Sequence, residues 1–266
     1  MFAAFNLKMK KNFDYYIDMG NEVYVRDRER VETEFNQFLK RNGNLKETSN
    51  QDDWFSHIKA DIFIAHSPLD KGKALALSGW LQSKFKLNAY IDSSIWDPAD
   101  SFLKKMDEKY EKHINESYNP KKRHLCINHV HTLLSTALTH IMDNTECIIF
   151  LNPPSTVSTK EVMNQTTSPW AYLELAISKR LRKKIPVRSQ ENMKQEPYKV
   201  NDSLMLEYHL GTHHLANISD EDLQKWNLYF NLNKLKRLTK SPALRAIHPL
   251  DFLYKKHGFM KETIEQ

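Results

Sequence analysis

The chain has 266 residues, 40% of them hydrophobic and 11% aromatic, with 39 Lys and Arg against 33 Asp and Glu for a net charge of +6. That composition supports one large α/β domain, or a medium domain with extensions, and excludes a globally disordered chain. The longest apolar runs fall well short of the roughly 18 residues a membrane-crossing helix needs, so no membrane partner is expected.

At the start, "MFAAFNLKMKK" puts its apolar residues before the basic ones, the reverse of a secretory signal. Two cysteines, Cys126 and Cys147, make no disulfide framework. Both features point to a cytoplasmic location. In "RERVETEFNQFLKR" (28–41), Val31, Phe35, Phe38 and Leu39 share one face and predict an amphipathic helix. Residues 1–57 therefore read as an N-terminal helical extension, closed by the polar loop "NGNLKETSNQDD".

From residue 58 strands and helices alternate. "DIFIAH" is a short buried strand, and "KALALSGWLQSKF" a helix with Leu75, Leu77, Trp80 and Leu81 inward. "NAYID" (88–92) is a second strand. "PADSFLKKMDEKYEKHI" begins a long helical insertion at about 97–128, opened by Pro98. "NHVHTLLSTALTHIMDN" is a further helix and "ECIIFLN" a third strand. "SPWAYLELAISKRLRKK" is a helix with Ser168 at its N-cap and Pro169 at its first position. "IPV" (185–187) is a candidate fourth strand. This alternation predicts an α/β fold in which a central parallel sheet, spanning 58–190, carries helices on both faces. Residues 191–266 read as a mostly helical C-terminal extension, in which "SDEDLQKWNLYFNLNKLKRL" has an acidic first turn and a basic end.

Ligands of open parallel sheets bind beyond the carboxyl ends of the strands. That rule selects His66–Lys73, Asp92–Asp97, 152–167 and the start of the helix carrying Trp170 and Glu174. The first segment lacks both GxGxxG and GxxxxGK[ST], and Gly72 stands alone, so it is no glycine phosphate cradle. Trp96 is either a base-stacking ring or a partly buried anchor. Trp170 and Glu174 lie four residues apart and share a helix face. Glu174, between Leu173 and Leu175, is either an exposed helical carboxylate or one partly removed from water. His124, Cys126, His129, His131 and His140 make no recognised metal spacing, and no metal is expected. Basic clusters such as "NPKKRH" and "KRLRKK" are scattered, without basic-aromatic interleaving, which leaves nucleic acid outside the expected partners.

In order and position, "DIFIAHSPLDKGKALALSGWLQSKFKLNAYID", "DSSIWDPAD", "NHVHTLLSTAL", "ECIIFLN" and "SPWAYLEL" resemble a bacterial TIR (Toll/interleukin-1 receptor) domain over residues 58 to 188. Ala65 stands where the family commonly has serine, and Ala171 where bacterial members often have cysteine. The resemblance implies a flavodoxin-like TIR fold and, in enzymatic members, cleavage of the nicotinamide-ribose bond of NAD+, the substrate, with no bound cofactor. Products are nicotinamide with ADP-ribose or a cyclic ADP-ribose isomer. It assigns the catalytic carboxylate to Glu174. Ala65, His66 and Ser67 are placed at the nicotinamide-ribose end, Lys73 or Lys71 at the pyrophosphate unless these lysines are simply exposed, Asp92 and Trp96 beside the nucleotide, and Trp170 beside Glu174. Bacterial members of this kind, such as Thoeris TIR proteins, serve anti-phage defence. Self-association through TIR domains and a separate effector protein are accordingly implied partners. Two other functions fit the same residues: a non-enzymatic TIR interaction module, and a nucleoside N-glycosidase or deoxyribosyltransferase.

Overall fold

Apolar runs of five or six residues, too short for helices and bounded by polar turns, make the centre of the molecule. The computed structural model of the chain describes residues 1–11, 13–40, 58–111, 120–152, 169–188, 212–239 and 248–260. Within them lie strands β1 (Ala3–Lys8), β2 (Ile62–His66), β3 (Ala89–Ile91), β4 (Cys147–Leu151) and β5 (Ala216–Ser219). The helices are α1 (Ile17–Lys40), α2 (Lys71–Phe85), α3 (Ser93–Trp96), α4 (Ala99–Glu111), α5 (Pro120–Asn144), α6 (Pro169–Arg180), α7 (Asp220–Thr239) and α8 (Asp251–Lys256).

All strand pairings are parallel, in the order β3-β2-β4-β1-β5. Every residue of β2, β3 and β4 is buried, as expected of a parallel sheet covered on both sides. Side-chain alternation sorts them between two cores. Phe63, Ala65, Tyr90, Ile148 and Phe150 pack with Leu134, Leu138 and Ile141 of α5 and Leu175 of α6. Ile62, Ile64, Ile149, Leu151, Phe5 and Leu7 pack with Leu77, Trp80 and Leu81 of α2, Trp226 of α7 and Tyr254 of α8. The chain thus adopts the expected α/β flavodoxin-like architecture, with a central parallel sheet between helical layers.

Helix α1 packs along α2 and contacts edge strand β3. The α1–α2 contact is backbone to backbone: a Cβ on Gly79 would sit 2.0 Å from the Tyr16 carbonyl oxygen, and one on Gly20 1.8 Å from that of Leu75. Any larger residue at either position forces the helices apart. Val31 and Phe35 of α1 are buried, as their spacing predicts.

Three expectations need correction. The flavodoxin order is 2-1-3-4-5, and β3-β2-β4 supply its first three places. The remaining two are filled from the ends of the chain. Residues 3–8, expected in a helical extension, form β1 between β4 and β5, with Phe5 opposite Ile149 and Ala216. Residues 216–219, from the segment expected to be mostly helical, form β5. "IPV" (185–187) is not a strand; β1 occupies the place beside β4. The physical reason is burial on both faces: Ala3, Ala4, Phe5 and Leu7 all lose contact with water, and Asn6 donates its Nδ2–H sideways to Asn217 Oδ1 at 2.9 Å while its own Oδ1 stays buried without a partner. Of the insertion at about 97–128, the described parts are helical, in α4 and the start of α5. The expected N-cap Ser168, the side chains of Phe38 and Leu39, and most of 152–167 lie outside the described residues.

Candidate active site

Because every strand is parallel, the ends of β1, β2, β3 and β4 open on one edge of the sheet. His66 closes β2 and Asp92 follows β3. Asp92 Oδ1 accepts the Ser93 N–H at 2.6 Å, capping α3, while Oδ2 accepts the His66 N–H at 3.0 Å. The His66 ring turns back onto the same carboxylate, with Nε2 3.0 Å from Asp92 Oδ1 and 3.0 Å from Ser93 Oγ. Its Nδ1 lies 2.6 Å from the Ser67 carbonyl oxygen, a group that only accepts, so Nδ1 carries a proton. Burial pulls the imidazole pKa down, but the Asp92 carboxylate and the Ser67 carbonyl outweigh it and leave His66 above the usual histidine value. His66 and Asp92 are thus a buried, charge-assisted pair joining β2 to β3.

Glu174 enters from α6 and is 0% exposed. Its Oε1 accepts the Trp96 Nε1–H at 3.3 Å, and Oε2 has no hydrogen-bond partner. Burial drives its pKa well above the glutamate range, the charge of nearby Asp92 adds to that, and the Trp96 hydrogen bond partly opposes it. An oxygen so placed is costly to bury alone, and the same isolation strengthens its interaction with any cation brought to it. Trp96 stacks on Trp170, with ring centroids 3.7 Å apart and planes 11° from parallel. The His131 ring follows at 5.2 Å from Trp170. Both indoles are half-buried.

The loop after β2 is pinned rather than open. Ser67 Oγ donates to Asp70 Oδ2 at 3.0 Å, and Lys73 Nζ donates to Asp70 Oδ1 at 2.9 Å. Asn152 Nδ2 also donates to Asp70 Oδ1, at 3.2 Å, from a left-handed backbone position with φ 46° just past β4. Asn152 Oδ1 accepts the Met9 N–H at 3.0 Å, which ties in the end of β1. Desolvation of Asp70 is outweighed by Lys73, Ser67 and Asn152, and its pKa falls below the usual aspartate value. Alongside, Lys71 Nζ donates to Asp97 Oδ2 at 2.6 Å, and Tyr24 of α1 hydrogen-bonds the same oxygen.

The structure therefore brings His66, Ser67, Lys73, Asp92, Trp96, Trp170 and Glu174 to this edge through linked contacts. Ala65 is different: its side chain is packed in the core with Phe63 and Phe150, so it offers the edge no polar group. Sequence reasoning assigned no role to Tyr24, Asp70, Ser93 or Asn152. A serine opening a short helix after Asp92 was a local signal for Ser93. Tyr24 had none, because α1 reaches Asp97 only in three dimensions. His214 Nε2 lies 2.9 Å from Ser178 Oγ, one turn beyond Glu174. Ser178 is buried and donates to the Leu175 carbonyl, which makes it a poor nucleophile. Among the described residues no group of three or more His, Cys, Asp or Glu is placed to hold a metal, and no helix is long and apolar enough to cross a membrane.

Fold and site together define an α/β protein with a fully buried carboxyl group, Glu174, at the carboxyl edge of a parallel sheet. Comparison with protein-family models, with curated proteins and with solved structures finds no match in any of the three.

Proposed function

We propose that the protein is a TIR-type NAD+ glycohydrolase or cyclase that breaks the bond between nicotinamide and ribose, with Glu174 as the catalytic carboxylate. The single observation that supports this most is the state of Glu174: fully buried, bonded through Oε1 to Trp96, and with Oε2 unpartnered. Nicotinamide in NAD+ is cationic and departs neutral, so the reaction asks little of a general acid. Its transition state places positive charge on the ribose, as in other glycosyl transfers. A carboxylate in a low-dielectric setting stabilises that charge strongly and also binds the ribose hydroxyls. Water then adds at the ribose carbon to give ADP-ribose and a proton; attack by the adenine half of the same molecule gives a cyclic isomer and a proton.

A cationic leaving group asks for no proton, so NAD+ would be turned over by the ionised form of Glu174, whereas a neutral nucleoside base would draw on its protonated form. Burial of Glu174 also means that the Trp96 indole moves off Oε1 when the sugar enters, a gating step of the kind common in enzymes that exclude water. In a bacterial cell the consequence of this reading is NAD+ depletion or a nucleotide signal for a separate effector in anti-phage defence.

Chromatography of reactions containing NAD+, inosine or thymidine tests the substrate class. Nicotinamide released from NAD+, with both neutral nucleosides intact, supports the reading. Free hypoxanthine or thymine with NAD+ untouched refutes it.

A further inference from the structure

Asp97 directly follows Trp96 in the chain, and its carboxylate is gripped by two other helices. Lys71 Nζ, at the first position of α2, donates to Asp97 Oδ2 at 2.6 Å and to the Tyr24 hydroxyl at 3.0 Å. The same ammonium sits 4.4 Å from the centre of the Tyr24 ring. Tyr24, 4% exposed on α1, donates its hydroxyl to Asp97 Oδ2. Desolvation opposes the charge on Asp97 and on Lys71. Their contact, with Tyr24, outweighs it and holds the carboxyl below and the ammonium above their usual values. The mount is stiff. Gly20 lies one turn before Tyr24 and Leu75 one turn after Lys71, and there α1 and α2 touch backbone to backbone with no room for a Cβ.

The other end of α3 is fixed as well. Asp92 caps its start and is bonded to His66, while the Asp97 N–H closes its end on the Ser93 carbonyl at 3.0 Å. Trp96 thus rides on a single turn anchored before and behind, its indole donating to Glu174 and stacked on Trp170. We propose that Tyr24, Lys71 and Asp97 are positioning residues that hold this turn so that Trp96 lies over Glu174. Lys71 is thereby assigned to building the site rather than to a pyrophosphate. The backbone stays fixed while the indole turns aside for a sugar, and the clamp returns it to Oε1 afterwards. That part in catalysis rests on the NAD+ reading above; the placement of Trp96 does not.

Circular dichroism of the full chain tests the placement. Two indoles as close as Trp96 and Trp170 couple their transitions and give a couplet, which Trp170→Phe is expected to abolish. Asp97→Ala, at a side chain 36% exposed, is expected to stay folded and to lose most of the couplet. Tyr24→Phe, which keeps the ring, is expected to weaken it in the same sense. Val31→Ala removes buried packing from α1 away from the clamp, and is expected to lower the melting temperature while keeping the couplet. A wild type without the couplet, an unchanged couplet in Asp97→Ala, or an equal loss in Val31→Ala overturns the proposal. The pH profile of kcat/KM with NAD+ then reads the effect on Glu174. Deleting the Asp97 charge and freeing Lys71 ease ionisation of Glu174 directly and move the rise in activity to lower pH. Loosening the Trp96 donor moves it to higher pH. Asp97→Ala is expected to shift the rise upward, and a downward shift overturns the positioning role. A couplet lost in Asp97→Ala, with NAD+ left intact by the wild type, supports the clamp and refutes the NAD+ reading alone.

Discussion

Trp96 and Glu174, 78 positions apart in the chain, meet through an indole N–H donated to Oε1 at 3.3 Å. One residue ends a four-residue helix after β3, and the other faces inward from α6. Their contact joins the two segments that the sequence marks as a candidate nucleotide crevice, and it partly offsets the burial and the Asp92 charge that raise the Glu174 pKa.

Replacing Trp96 with Phe keeps a ring to stack on Trp170 but removes the hydrogen bond that lowers the Glu174 pKa. Catalysis needs the carboxylate, so activity rises with pH through that pKa. In Trp96→Phe the rise is expected at higher pH, because the anion has lost its donor. A hydrogen bond to a charged group contributes about 1.5–3 kcal/mol, which corresponds to roughly a tenfold to hundredfold loss of kcat/KM below the new pKa. The kcat/KM profile against pH checks this; an unshifted profile contradicts it.

Glu174 also shapes stability. Its folded pKa is raised above the unfolded value of about 4.3. The folded state holds the proton more tightly, so no penalty exists below the unfolded pKa. The penalty grows as pH rises from there toward the folded pKa. Glu174→Gln lacks that charge. Its melting temperature is expected to match wild type near pH 4 and to exceed it increasingly toward pH 8. A difference independent of pH contradicts the burial of an ionisable group there.

His66 gives a second pH window. Its folded pKa is also raised, so the stabilisation of its pairing with Asp92 is complete below the usual histidine value of about 6.5. It is lost as pH rises through the folded pKa. His66→Gln is expected to cost the protein about 1–3 kcal/mol near pH 6, where Asp92 loses a charged donor, and less at pH 9. Denaturant titrations at both pH values measure it, and nuclear magnetic resonance titration of the imidazole should place its pKa above 6.5.

Strand β1 supports the core rather than decorating it. Phe5 is fully buried, its ring 6.4 Å from Tyr254 and 5.7 Å from Phe259 between centroids. Phe5→Ala is expected to destabilise by about 3–5 kcal/mol, the usual loss for an aromatic removed from a core. Tyr15→Ala, at a side chain 91% exposed, should change little. Thermal melts compare the two, and equal melting temperatures would remove β1 from the sheet.

The legible parts of the fold were those with strong local pattern. "IFIAH", "AYI" and "CIIFL" read as buried strands because each is a short apolar run between polar turns. The helix face shared by Trp170 and Glu174 follows from spacing alone. β1 was hidden because Asn6 interrupts its apolar run, and the Asn217 amide oxygen that accepts its Nδ2–H is 211 residues away. β5, "ANIS", is a short edge strand with little apolar content and no local signal. At the site, the sequence left open whether Glu174 was exposed or desolvated. Only the packing of α6 against α5 and β2 decides that, because desolvation is a tertiary quantity. The pinning of the Ser67–Lys73 loop by Asn152 and Met9 was likewise beyond any local pattern.

The most direct measurement of the central claim is nicotinamide released from NAD+ by the full-length protein at high concentration, beside Glu174→Gln. Wild type is predicted to release nicotinamide with ADP-ribose or a cyclic isomer in equal amount, and Glu174→Gln to release on the order of 100-fold less while remaining folded. No release by folded wild type, or equal release by both proteins, would contradict a catalytic Glu174.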